Sequence, residues 1–111
     1  MDEISDEYMR SMLASMQRYT VVILRRTPKR DEPGAEKIVW EHGRRNFELR
    51  SRGKLRIVCP VEERSDVSGL CIFSTGVDET TKIMDDDPTV KAGIYTYEAY
   101  PVLGFPGDSL S

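Results

Sequence analysis

Residues 35–61, AEKIVWEHGRRNFELRSRGKLRIVCPV, decide the fold, because a helical pattern gives way here to a strand. At about 100° per residue, Ala35, Ile38, Val39, His42, Asn46 and Leu49 fall within roughly a third of the circle, the face a helix turns toward a sheet. The spacing predicts a helix over about 33–52 with Gly53 at its C′ position. A strand over 54–61 follows, interrupted near its end by Pro60. Trp40 and Phe47 lie roughly opposite His42 on the same helix and need cover of their own, from the N-terminal helix or a neighbouring subunit.

His42 is the only histidine of the chain, and it sits in the middle of the inward face. A polar group buried there requires a partner. The acidic run Asp85-Asp86-Asp87-Pro88 is the best source of one. Pro88 restricts the residue before it to extended backbone, which makes Asp87 a rigid orienting group. Asp85 and Asp86 either solvate freely or stand in for it. A carboxylate on one ring nitrogen fixes the tautomer and stabilises the imidazolium, leaving the other nitrogen for acid–base work. The competing reading is a structural histidine with its hydrogen bonds satisfied.

The flanking segments complete a βαββαβ order after a leading helix. Residues 2–17 carry Ile4, Tyr8, Met12 and Met16 at every fourth position, widened by Met9 and Leu13, with Ser5 as N-cap or a start near Asp2. Arg18–Arg26 reads as a strand whose central run Val21-Val22-Ile23-Leu24 suggests burial on both faces. A loop covers 27–34. Beyond the second strand come a charged loop, a third strand over 69–75, and a short helix over 76–84 with Asp78 as a candidate N-cap. The fourth strand is expected over 90–100, with Tyr95 and Tyr97 on one face, and the tail over 102–111. That order specifies a ferredoxin-like α+β sandwich over residues 18–101. Its helices cover one sheet face, so strands apolar on both sides argue for dimerisation through the sheets or cover from the N-terminal helix.

The totals narrow the function classes. A chain of 111 residues can bury a real core as one domain, and 39% hydrophobic residues are too many for a disordered chain. A net charge of -3 with acidic residues interleaved among the basic ones gives no reason to expect nucleic acid. The acidic start lacks the apolar core of a signal peptide, and no apolar run approaches membrane-spanning length. Cys59 and Cys71 lack zinc-ligand spacing, so no metal is expected, and reduced core thiols fit a cytoplasmic protein. Asn46, Cys59, Ser74 and Tyr95 are candidate lining residues for a pocket at His42. Serine-hydrolase chemistry lacks a GxSxG elbow.

Two segments carry a family resemblance. EHGRRNFELRSRGKLRIVCPV, residues 41–61, resembles the helix–strand signature of YciI-like (YCII-related) proteins, in which a helix histidine precedes a Gly-ended helix and a strand finishing near proline. DDDPTVKAGIYTYEAYP, residues 85–101, resembles their second signature, an Asp-Pro step followed by Ala-Gly and the last strand. The matches cover about Trp40–Pro101, and the element order extends agreement to Tyr19. The resemblance implies a dimeric α/β barrel with two sheets packed face to face and a His–Asp site at His42 and Asp87. It also implies cofactor-free chemistry such as dehydrochlorination of a chlorinated hydroxyhydroquinone. Where such proteins commonly read Ala-Gly-Pro, this chain has Val58-Cys59-Pro60, whose larger side chains reshape the pocket. The leading expectation is a homodimer or higher homo-oligomer performing proton transfer or elimination on a small cyclic or aromatic substrate. The alternative is a non-catalytic dimeric module that binds a small ligand or a protein. An open pocket with Asp87 behind the ring favours the first, and a pocket without that geometry the second.

Overall fold

In the computed structural model, which describes residues 3–111, Ser5 caps helix α1 (Asp6–Ala14) by accepting from the Tyr8 N–H. A start at Asp2 lies outside the described residues. Strand β1 (Gln17–Arg26) leads through a 3-10 turn (Pro28–Asp31) to α2 (Ala35–Ser51), the helix that carries His42. Two backbone bonds close α2: Gly53 N–H to Arg50 C=O at 3.0 Å and Lys54 N–H to Leu49 C=O at 3.0 Å. This pattern puts Gly53 at φ 75°, where a side chain would be strained. Strands β2 (Leu55–Pro60) and β3 (Val67–Phe73) form a hairpin. Helix α3 (Val77–Asp85), the single turn α4 (Pro88–Lys91) and strand β4 (Tyr95–Gly104) complete the chain.

The sheet order is β2-β3-β1-β4 with every neighbouring pair antiparallel, an open α+β sheet compatible with a ferredoxin-like fold. Residues paired across the ladders share a face, which sets Val22 and Leu24 beside Cys71, Phe73 and Leu55. These pack with Ala35 and Leu49 of α2 and with Ile83 and Met84 of α3 in one core. The register slips between Leu55 and Ile57, so Leu55 and Val58 both reach the helix-covered face although they are three residues apart. Among the described residues, no helix is long and apolar enough to cross a membrane.

The structure corrects several expectations. β1 alternates instead of being buried throughout: Thr20, Val22 and Leu24 are buried, while Val21 and Ile23 are half-exposed because the helices cover only one face. β4 begins at Tyr95 and not at Val90, since Pro88 seeds a helical turn that Gly93 closes at φ 74°. The strand then runs through Val102–Gly104, into the expected tail. Gly76, and not Asp78, occupies the N-cap of α3. None of the described residues of α1 is buried, so it leaves Trp40 and Phe47 70% and 69% exposed. The radius of gyration, 16.5 Å, exceeds the ~13 Å of a compact chain this long.

Two glycines of this helix–strand unit respond oppositely to alanine. Gly43 lies inside α2, and a Cβ built there meets no described atom within 4 Å. Gly43→Ala therefore stabilises the protein by about 0.5–1 kcal/mol. Gly53→Ala, at positive φ, destabilises it by roughly 1 kcal/mol. Urea denaturation of the two variants checks both signs.

Candidate functional site

His42 and Asp87 meet across 45 positions of sequence. The ring Nδ1 lies 2.7 Å from Asp87 Oδ2, and both residues are buried, Asp87 to 1% exposure. The local fold explains why this aspartate is the partner. Asp87 is the N-cap of α4, and its Oδ1 accepts from the Thr89 N–H at 2.9 Å and from the Thr89 hydroxyl. An N-cap aspartate followed by Pro at N1 leaves one carboxylate oxygen on the helix end and the other free to point elsewhere. Here it points at His42. Asp85 instead accepts from the Tyr97 hydroxyl at 2.6 Å, and Asp86 pairs with Lys91 at 3.0 Å, so neither substitutes for Asp87.

On the opposite side of the ring, the Asn46 amide nitrogen lies 3.3 Å from Nε2. An amide NH2 can only donate, so this contact makes Nε2 an acceptor and places the neutral ring's proton on Nδ1, donated to Asp87. The Tyr95 ring meets the imidazole edge-on, with centroids 5.7 Å apart and planes at 75°. Burial opposes the charge on Arg30, but the Tyr95 hydroxyl and Glu36 hold its pKa above the ordinary arginine value. Arg45 brings a cation near Asp87, with Nη1 3.5 Å from the oxygen that His42 uses. Burial alone would push the Asp87 carboxyl up. The His42 hydrogen bond and charge and the two Thr89 donors outweigh it, so its pKa lies below the ordinary carboxylate value.

A cavity of about 340 Å³ opens on the ring between α2 and the β2–β3 hairpin. His42, Asn46, Cys59 and Tyr95 line it, whereas Asp87 does not. The carboxylate therefore lies off the cavity, on the Nδ1 side of the imidazole, while Nε2 meets the cavity-lining Asn46. Cys59 borders the cavity, yet its register sets it with Ile57 opposite Leu70 and Ile72, away from the helix layer. Cys71 is the thiol on the His42 side. Burial, reinforced by Cys59 and Asp87, pushes its pKa up to about 12, leaving a neutral group.

Ser74 is a correction. It lies past the end of β3, is exposed, and donates to the Gly53 and Lys54 carbonyls at 2.8 and 3.3 Å, bracing the end of α2 rather than lining the cavity. Sequence reading also missed Thr89, Arg45, Gly43 and Arg50. The Asp-Pro-Thr capping pattern signals Thr89. Helical spacing signals the others, since Arg45 follows His42 by three positions, and Gly43 and Arg50 flank the Asn46 stripe. No known family model matches the chain, and no curated protein matches it.

The depressed Asp87 pKa has a direct stability consequence. A carboxyl with its folded pKa below the unfolded value of about 3.9 stabilises the fold fully above that pH. That contribution is lost as pH falls through the folded pKa. Asp87→Asn is thus less stable than wild type at pH 7 by roughly 1–3 kcal/mol, and the deficit shrinks below about pH 4. Asp31 and Glu98, also depressed by their partners, are common to both proteins and cancel in the comparison. Thermal or urea unfolding at pH 7, 4 and 3 reads the difference. A deficit constant across pH removes the ionised pair.

Proposed function

We propose that the protein is a small YciI-like enzyme that performs cofactor-independent acid–base chemistry with His42 and Asp87 on a compact cyclic or aromatic substrate. The observation that carries this reading is the direction of the pair: a buried carboxylate on Nδ1, and on Nε2 the amide of Asn46, which with His42 lines a cavity that the carboxylate does not reach. In the reaction, Asn46 yields Nε2 to the substrate. Nε2 accepts a proton from a carbon or hydroxyl, and Asp87, which stays ionised, stabilises the imidazolium formed. For an elimination, the electron pair of the broken C–H bond becomes the new double bond. The leaving group departs with its own bonding pair, and the imidazolium returns the acquired proton to water. For a proton transfer, the same proton is delivered to a second atom of the substrate.

The assembly proposed with this chemistry is a homodimer formed through the open sheet face. On that face Leu70 and Tyr100 are exposed large apolar residues, and their partners Ile23 and Val21 are only half-covered. Such a contiguous apolar surface is unusual for a monomer. Free Cys59 and Cys71 accord with a reducing, cytoplasmic setting. A second reading, a dimeric module that binds a small ligand or a protein without catalysis, draws on the exposure of Trp40 and Phe47.

Hydrogen–deuterium exchange into a panel of cyclic ketones and phenols in D2O, followed by NMR, separates the readings. The enzyme reading predicts catalysed exchange or elimination for some member, reduced at least about 100-fold in His42→Gln and by a comparable factor in Asp87→Asn. Ligand binding without any His42-dependent exchange supports the module instead. Sedimentation should give twice the 12.7 kDa chain mass, and Leu70→Asp should return the monomer.

A further inference from the structure

We infer that the His42 cavity takes a ring-bearing monoanion whose charge is held by Arg50. The inference rests on the reading of this cavity as the substrate site and names the class of substrate it selects. No Asp or Glu is found among the described residues that line the cavity, and the one permanent charge among them is the Arg50 guanidinium. Arg50 also makes no ion pair with any described residue. By contrast, its helix neighbour Arg44 is bonded to Glu41, and Arg45 lies within ion-pair distance of Asp86 and Asp87, at 3.9 and 3.5 Å. A site furnished with one unneutralised cation and no anion favours a ligand of single negative charge.

The placement of the polar groups sets the ligand's dimensions. His42, Asn46 and Arg50 recur every four residues, so they form one slowly drifting row on α2. At 1.5 Å rise per residue the row extends ~12 Å along the helix from the imidazole to the arginine. A ligand anchored at Arg50 thus reaches Nε2 only if a body about the size of a ring separates its charge from its reacting atom. The walls suit such a body. Val39, Phe47 and Val58 are apolar, Gly43 lines the cavity without a side chain, and the cavity's 340 Å³ lies near the small end of ligand sites. Phe47 is an aromatic side chain left 69% exposed at this cavity, as expected of a group that stacks on the ligand rather than on the core.

Arg50 also lies in the last turn of α2, where a cation complements the helix dipole. That role predicts no preference among ligands, so a matched pair of probes separates the two. Benzoate and its neutral counterpart benzamide are titrated into the full-length protein, reading the His42 ring and Asn46 side-chain NMR signals. Benzoate should bind at least about fivefold more tightly than benzamide. Arg50→Gln should abolish that preference by weakening benzoate more than benzamide, Arg50→Lys should keep part of it, and Gly43→Leu should block both probes. Equal affinities in the wild type, equal loss of both probes in Arg50→Gln, or no benzoate response at His42 and Asn46 each overturn the inference. The acid–base reading is scored separately. His42-dependent exchange without benzoate preference removes only the Arg50 assignment, and benzoate preference without exchange keeps Arg50 and removes the chemistry.

Discussion

A carboxylate taken out of water is the constraint on which the rest of this site depends. Burying an ion without compensation costs several kcal/mol. Asp87, at 1% exposure, is tolerated because both its oxygens have donors, the Thr89 amide and hydroxyl on one and His42 on the other, with the Arg45 cation 3.5 Å away. Satisfying it fixes the geometry of three elements at once. α4 must start at Pro88, α2 must present His42 and Arg45 inward, and the imidazole must hold its proton on Nδ1. The placement of Nε2 against Asn46, away from the carboxylate, follows from these requirements.

The scaffold supports this arrangement from the sheet. Cys71 and Leu24 form the cavity's side of the core, Tyr95 meets the imidazole edge-on, and the slip at Leu55–Ile57 brings Val58 onto the same face. The Schellman closure at Gly53 and the Ser74 hydroxyl on the Gly53 and Lys54 carbonyls hold the far end of α2. The helix is thereby pinned at its C-terminal end and at His42. The stretch between them, with Gly43 and Asn46, borders open volume.

Much of this was legible in the residues. The inward arc of α2, the Gly53 terminus and the order of the strands follow from periodicity and caps, and a lone buried histidine calls for a partner in the run 85–87. The choice of Asp87 within that run came with the family resemblance. The misses have physical causes. Val90 has strand-like chemistry, but Pro88 at N1 under an aspartate cap commits its segment to a helical turn. The apolar run in β1 reads as doubly buried, yet within one chain the helices cover only one face. Ser74 carries a hydroxyl suited to a pocket, but the chain turns immediately after Phe73 and carries it to the helix end. Arg45 and Arg50 were hidden among surface charges, because single-sequence reading counts a basic cluster without showing which members meet an acid. The N-terminal helix keeps its amphipathic pattern, and its apolar side is left unburied in the single chain.

The measurement that most directly tests the account is the tautomer of His42, read from the two ring nitrogens in a long-range 1H–15N NMR correlation of the neutral form. The account predicts a protonated Nδ1 and a bare Nε2 in the wild type. It also predicts a shift to the Nε2–H form in Asp87→Asn, whose amide oxygen is retained by the Thr89 donors and whose NH2 then faces Nδ1. A wild-type ring with its proton on Nε2 would contradict it, because that nitrogen could not act as the base facing the cavity.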